Sequence, residues 1–315
     1  MKILVTGGYG FIGSNFINRI IDNTEVESIV NLDSCTYAAN EDNLNIDNIL
    51  NYKLTNVKSD INDTHLIESL LYVNKITHLV HFAAESHVDN SISNPDKFIK
   101  TNINGTFSLL EASRKYGELE RFHHISTDEV FGSLTDIGYF TETTPYDPRS
   151  PYSASKAASD HLVNSYYHTY KLPITMSNCS NNYGPRQHEE KLIPKIIKNI
   201  REGKKVPIYG NGKNIRDWLY VDDHCDGIFE ILKKGRTGES YNIGGDCERN
   251  NIQILQTICC LMDVKLGDVI EYVEDRKGHD YRYAIDFSKI KNELNWTPKI
   301  NFIDGLMKTI EFYSI

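Results

Sequence analysis

The first thirty-three residues leave the chain little choice of fold. Lys2-Ile3-Leu4-Val5-Thr6 is a short, apolar, β-rich run, and Gly7, Gly10 and Gly13 follow at three-residue spacing. Phe16-Ile17-Asn18-Arg19-Ile20-Ile21 then reads as helix, and a second strand, Ser28-Ile29-Val30-Asn31-Leu32, ends on Asp33. Strand, glycine turn, helix, strand and acid in that order form the dinucleotide-binding start. The glycines let backbone approach a pyrophosphate, whose charge suits a helix N-terminus. Asp33, twenty residues past Gly13, can accept hydrogen bonds from an adenosine ribose. Its neighbours Ser34, Cys35 and Thr36 include no arginine to hold a 2′-phosphate, so NAD is favoured over NADP.

Strand signals recur down the chain. Tyr52-Lys53-Leu54 leads to Asp60, Thr77-His78-Leu79-Val80-His81-Phe82 leads to Ala83-Ala84-Glu85-Ser86, and Arg121-Phe122-His123-His124-Ile125-Ser126 leads to Thr127-Asp128-Glu129. Helical patterns fall between them, over residues 102–116 and 153–170. Alternating strands and helices predict an α/β fold, a Rossmann-type doubly wound parallel sheet with ligands at the carboxyl ends of its strands. The polar groups just after each strand should therefore converge on one crevice. With 315 residues the chain can bury one large or two interleaved domains. No repeat or low-complexity linker marks a boundary, and the turn-rich stretch 181–214 is expected to begin a smaller, substrate-binding part.

The chemistry-bearing residues lie in two groups. Tyr152 and Lys156 are four apart, so on a helix they share one face. A lysine ammonium beside a phenol stabilises the phenolate, which lowers the tyrosine pKa from about 10 toward neutrality and makes a base for a hydroxyl proton. Hydride transfer alone needs one such acid/base. The adjacent carboxyls Asp128 and Glu129 are surplus to it, which implies that a further bond is broken.

Composition excludes several classes. A net charge of −9 argues against nucleic acid, whose binders need a positive surface. No signal peptide is expected, and no apolar run approaches the roughly 20 residues of a membrane span. The six cysteines contain no C-x-x-C pattern and read as reduced thiols of a cytoplasmic protein. Adjacent His123 and His124 should point to opposite faces of a strand, one into the core and one to the surface, and no Cys/His spacing fits a zinc site, so no metal is expected.

Longer motifs carry a resemblance. His81-Phe82-Ala83-Ala84-Glu85-Ser86-His87-Val88-Asp89, Phe122-His123-His124-Ile125-Ser126-Thr127-Asp128-Glu129-Val130, Ser150-Pro151-Tyr152-Ser153-Ala154-Ser155-Lys156, Asn178-Cys179-Ser180-Asn181-Asn182-Tyr183-Gly184-Pro185, Arg216-Asp217-Trp218-Leu219-Tyr220-Val221 and Asp275-Arg276-Lys277-Gly278-His279-Asp280 stand in one order. The chain resembles the extended short-chain dehydrogenase/reductases, and within them the family of dTDP-glucose 4,6-dehydratases, almost to Trp296. The resemblance implies an NAD-dependent hydro-lyase acting on dTDP-glucose. Tyr152 would deprotonate the sugar 4-hydroxyl while carbon 4 is oxidised, Glu129 would abstract the acidified carbon 5 proton, and Asp128 would protonate the departing 6-hydroxyl. Thr127 would bond the 4-oxygen and Lys156 the nicotinamide ribose.

It also implies binding residues. Phe11, Ile12, Asp33, Ser34, Cys35, Thr36, Asp60, Ile61, Phe82, Ala83, Ala84, Glu85, Ser86, Thr101 and Asn182 would join Gly7, Gly10 and Gly13 around NAD. Ser86, Thr127, Asn181, Lys191, Leu192, Pro207, Ile208, Tyr209, Arg216, Asn251, Arg276, His279, Asp280, Tyr281, Arg282 and Tyr283 would line the sugar-nucleotide site. Arg216 suits a diphosphate because its guanidinium fork matches phosphate oxygens, and Arg276 is a second candidate. Residues 1–175, with a returning segment about 215–245, would bind NAD, while 176–214 and 246–315 would mainly bind substrate. The helices over 102–116 and 152–170 would pair with a second copy's as a homodimer.

Departures from the family pattern are few. Tyr9 stands inside the glycine turn, Ala39 replaces a glycine, Lys277 replaces a proline, and the stretch from Phe131 to Tyr152 is short. They bear on substrate affinity more than on reaction type. A 4-epimerase or decarboxylase of the same superfamily would keep Tyr152, Lys156 and the glycine turn, but would not need Asp128 beside Glu129. A non-catalytic NAD sensor could lose the reactive groups. The preference for thymidine rests on the resemblance alone.

Overall fold

A computed structural model describes residues 1–44, 51–276 and 278–314. Strands β1 (Lys2–Thr6), β2 (Ser28–Asp33), β3 (Leu54–Lys58), β4 (His78–His81), β5 (Arg121–Thr127) and β6 (Ile174–Cys179) form a parallel sheet. The short β7 (Asn181–Tyr183), β8 (Val206–Tyr209) and β9 (Ile215–Tyr220) follow, and then β10 (Ser240–Ile243) returns to pair with β6. The sheet order is β10-β6-β5-β4-β1-β2-β3, a doubly wound order that reverses at β1 and β4. The last strands, β11 (Glu248–Asn250) and β12 (Ile270–Val273), belong to two small sheets, β11-β9-β7 and β12-β8.

Helices cover both faces of the large sheet. Phe11–Ile20 and Val221–Lys234 pack on one face through Phe16, Ile17, Ile20, Ile228, Ile231 and Leu232. Thr64–Asn74, Thr106–Tyr116 and Pro151–Tyr170 pack on the other through Ile67, Leu71, Leu109, Leu110 and Val163. A separate apolar cluster, with Ile193, Ile196, Ile197, Ile254, Leu255, Ile258 and Leu306, fills the part around the small sheets.

Three details depart from the sequence reading. His123 and His124 do point oppositely, yet neither is exposed, because a parallel sheet with helices on both faces has no solvent side. His123 is held by the hydroxyls of Thr175 and Ser177, at 2.9 and 3.1 Å. Tyr52 and Lys53 lie in a short 3-10 turn, Asn51–Lys53, and the strand starts only at Leu54. There the Lys53 ammonium donates to the carbonyls of Ile21 and Val26 instead of extending the ladder. The helix expected from residue 102 begins with a wide π-helical segment, Ile99–Gly105, before Thr106–Tyr116. Such segments often mark functional sites. Here Asn102 exchanges hydrogen bonds with the Glu85 backbone, at 2.9 and 3.0 Å, and donates to Ser155.

Candidate active site

The carboxyl ends of β1 to β6 open into a cleft of about 390 Å³, within the roughly 300–1,000 Å³ usual for small-molecule sites. Its floor is the glycine turn. A Cβ on Gly7 would come within 2.8 Å of the Ala83 backbone, and one on Gly13 within 2.3 Å of the Gly7 carbonyl oxygen. The turn is therefore closed against both its neighbour strand and itself. It is tied to β2 as well, since the Gly8 N–H donates to Asn31 and the Tyr9 N–H to Asp33. Tyr9 is buried and does not line the cleft. The helix Phe11–Ile20 starts at Gly10 with no side-chain cap, which leaves its first N–H groups to a bound anion.

Around that floor stand Phe11, Ile12, Asp33, Ser34, Thr36, Asp60, Ile61, Phe82 to Ser86, Thr101 and Asn182, all expected from the sequence. Cys35 is the exception. Its φ of +52° turns the backbone, its N–H donates to Asp33, and its side chain does not face the cleft. Leu32, Ala38, Ala39, Gln187, His188 and Glu190 also line it. The turn, the uncapped helix start and the Asp33 carboxylate fit a dinucleotide. Among the described residues no group of three or more His, Cys, Asp or Glu side chains is gathered as a metal site.

The reacting groups lie deeper. Thr127 ends β5, and Asp128–Phe131 turns immediately as a short 3-10 helix, with the Thr127 hydroxyl accepting from the Glu129 N–H at 3.3 Å. Opposite, Ser150 and Ser153 form a capping box at the start of helix Pro151–Tyr170, with Pro151 in the first turn. That cap fixes the register placing Tyr152 and Lys156 on the cleft side. Tyr152, Lys156, Thr127, Asp128 and Glu129 all line the same cavity.

Electrostatics separates their roles. Burial and the neighbouring Glu129 push the Asp128 carboxyl well above the usual carboxylate range. One of its oxygens is buried with no hydrogen-bond partner among the described residues. Glu129 is also raised by burial, but Lys191, Arg216 and Arg276 pull it back. The pair thus divides into a group that holds its proton and one readier to lose it. Tyr152 corrects the sequence reading: burial, then the Glu129 charge, lift its phenol well above 10, with only Thr127 opposing. The Lys156 ammonium is 2.8 Å from the Ile125 carbonyl, to which it donates.

A second cavity adjoins the first and shares Ser86, Glu129, Asn181, Glu190 and Lys191 with it. Leu192, Pro207, Ile208, Tyr209, Arg216, Asn251, Arg276, His279, Asp280 and Tyr283 line it as expected. Arg216 is buried and forms no ion pair with Asp217, whose carboxylate accepts from the Gly245 and Cys247 N–H groups. Its guanidinium stacks on Tyr283 at 4.2 Å and donates to the carbonyls of Ile215 and Asp280. Arg276 stacks on Tyr209 and donates to Asp89 at 2.9 Å. Asp89 and His87 also line this cavity, and the sequence reading did not single them out as site residues. Tyr281 and Arg282 do not. Tyr281 is exposed and donates to Asp136, while Arg282 is pinned by the Glu248 carboxylate at 2.6 and 2.7 Å. Lys277 lies outside the described residues.

Known proteins match this chain along nearly its whole length. The family model for GDP-mannose 4,6 dehydratase covers residues 4–309. A dTDP-glucose 4,6-dehydratase of Xanthomonas campestris is 50% identical over 98% of this chain and 92% of its own. One from Escherichia coli is 50% identical over 99% and 93%. Among solved structures, a Streptomyces venezuelae dTDP-glucose 4,6-dehydratase with NAD bound superposes with a TM-score of 0.95, at 43% identity over 100% of this chain and 97% of that one. The UDP-glucose 4-epimerase of Thermotoga maritima reaches 0.92 at 29% identity over 100% and 99%, so the fold alone does not separate dehydration from epimerisation. With half its residues shared along nearly its full length, the chain belongs to the dTDP-glucose 4,6-dehydratase family of extended short-chain dehydrogenase/reductases.

Proposed function

We propose that the chain converts dTDP-glucose to dTDP-4-keto-6-deoxyglucose and water. The observation that carries this reading is the Asp128–Glu129 pair: Asp128 is buried and lines the first cavity with Tyr152, and the half-buried Glu129 lines both cavities. Bound NAD supplies the acceptor that oxidises carbon 4 and the donor that later reduces carbon 6, and its oxidised ring carries a positive charge. Tyr152 takes the proton of the 4-hydroxyl, with Thr127 holding the same oxygen. Its phenol is lifted by burial and the Glu129 charge, and the Lys156 ammonium, together with the ring that the cleft would hold, would oppose that lift. Glu129 then removes the carbon 5 proton, and Asp128, whose carboxyl burial and the neighbouring Glu129 charge push well above the usual range, donates to the departing 6-hydroxyl.

Arg216 holds the diphosphate, a role supported by its stacked guanidinium, which forms no ion pair among the described residues. Arg276, Lys191, Asn251 and His279 complete the sugar-nucleotide contacts. Residues 1–175 with 215–245 bind NAD, while 176–214 and 246–315 mainly bind substrate. Two copies pair through helices Thr106–Tyr116 and Pro151–Tyr170, a reading supported by exposed Ile92, Ile99 and Phe107 beside them. Sedimentation as a monomer at micromolar concentration would remove it. The unpaired state of all six cysteines supports a cytoplasmic location.

The test is to incubate the purified protein with dTDP-glucose in heavy water, with no NAD added, and weigh the product. Loss of one water with deuterium at carbon 5 is the expected result. An unchanged mass with an inverted carbon 4 by proton NMR would make the protein an epimerase.

A further inference from the structure

Tyr152, Lys156 and Asp160 lie at i, i+4 and i+8 of one helix, so all three share a face. Asp160 is completely buried and lies outside both cavities. Among the described residues only one of its oxygens has hydrogen-bond partners. One carboxylate oxygen accepts from Ser126 at 2.7 Å and from Tyr146 at 3.0 Å, and the other lies 3.1 Å from His124 Nε2. The same His124 nitrogen is 3.5 Å from the Lys156 ammonium. His124 therefore stands between lysine and carboxylate.

The electrostatics of Lys156 call for such a group. The ammonium is buried and donates to one carbonyl, that of Ile125. The groups facing it are His81 on β4, His124 on β5, Cys179 on β6, and Tyr152 and Asp160 on its own helix. Burial keeps both histidines neutral, and it raises the Cys179 thiol and the Tyr152 phenol. Asp160 is the one group of this set that bears negative charge at neutral pH, because its carboxyl, lifted mainly by burial, reaches only about 6. Burial drives the lysine toward the neutral amine, and the Asp160 charge opposes it.

We propose that Asp160, through the field of its charge across the neutral His124 ring, is the positioning residue that keeps Lys156 charged and aimed at the cleft. An uncharged amine would neither favour the Tyr152 phenolate nor bind a ribose hydroxyl as firmly. The inference rests on the dehydratase reading.

Asp160→Asn keeps the shape and the acceptor for Ser126 and Tyr146 while removing the charge. Lys156 then loses its proton at lower pH, so activity fails sooner as pH rises. In the holoenzyme we expect kcat to fall about tenfold with KM little changed, and the alkaline limb of the first, oxidative step to move down by roughly one pH unit. That step precedes any proton transfer by Asp128. Asp160→Glu, which restores the charge, should return the limb toward its original position. An Asp160→Asn enzyme with an unshifted limb overturns the proposal.

Should that variant fail to fold, the wild-type chain still decides. Heteronuclear NMR of lysine-labelled protein, with the Lys156 signal identified by its loss in Lys156→Met, should show an ammonium at neutral pH. A neutral amine there overturns the proposal. Failure of the dehydratase reading looks different, since wild-type protein would then release no water from dTDP-glucose at any pH.

Discussion

The nucleotide cleft takes its lining from the ends of successive parallel strands, whereas the substrate cavity draws on β8, β9, two helix starts and Arg276, Gly278 to Asp280 and Tyr283. In the cleft, backbone does most of the work: a closed glycine turn, an uncapped helix start and strand-end residues at fixed spacing. In the cavity, side chains from distant segments meet, and their partners decide which way each one points. Arg216 faces the cavity because Tyr283 and three carbonyls hold it there. Arg282 carries the same charge nearby, yet Glu248 keeps it away. Sites made of backbone should thus be intolerant of small changes, while those made of paired side chains should respond by degrees.

The sharpest test of that contrast is Gly13→Val. Its Cβ would meet the Gly7 carbonyl oxygen at 2.3 Å, and no side chain can swing aside to relieve a backbone clash. We expect the purified variant to carry no NAD and to lose turnover by about 10³-fold or more, with the backbone rather than a catalytic group at fault. Retained NAD, measured after acid release, would mean that the turn adapts and the contrast is overstated. Arg216→Lys comes next. It keeps the charge but loses the planar fork and the stack on Tyr283, so KM for dTDP-glucose should rise roughly 10–100-fold with kcat within a few-fold. A fall in kcat alone would place Arg216 in the chemistry instead.

The same contrast explains what could be read from the sequence. The glycine turn, Asp33 and the strand ends follow from local pattern, while Phe11, Ile12, Thr101 and Asn182 came only with the family resemblance; Cys35 is turned away by its own backbone, and Leu32, Ala38, Gln187, His188 and Glu190 had no signal. The burial of both His123 and His124 was not, because one strand does not reveal that its sheet is covered on both faces. Nor was the raised phenol of Tyr152, which depends on how far the surrounding wall excludes water and on the Glu129 charge beside it. Asp160 did leave a signal, a third polar residue at helical spacing after Tyr152 and Lys156, but an acid on a helix ordinarily reads as solvated. Tyr281 and Arg282 belong to a motif segment whose side chains go to Asp136 and Glu248, partners about 145 and 34 positions away.

Asp89 gives the finest test of the paired-side-chain half. It holds Arg276 in a two-point ion pair, with the Tyr209 hydroxyl and His87 close by, at the edge of the cavity. A pair this exposed is worth no more than about 1 kcal/mol. While it persists, though, part of the Arg276 charge is spent on the protein rather than on a ligand. Asp89→Asn should free the guanidinium for the diphosphate and tighten dTDP binding by up to about fivefold, which follows from the same small energy. The gain should shrink as salt screens the exposed charges. Calorimetric titration with dTDP at two ionic strengths measures both effects. Weaker binding in the variant would mean that Asp89 orients Arg276 toward the ligand instead of competing for it.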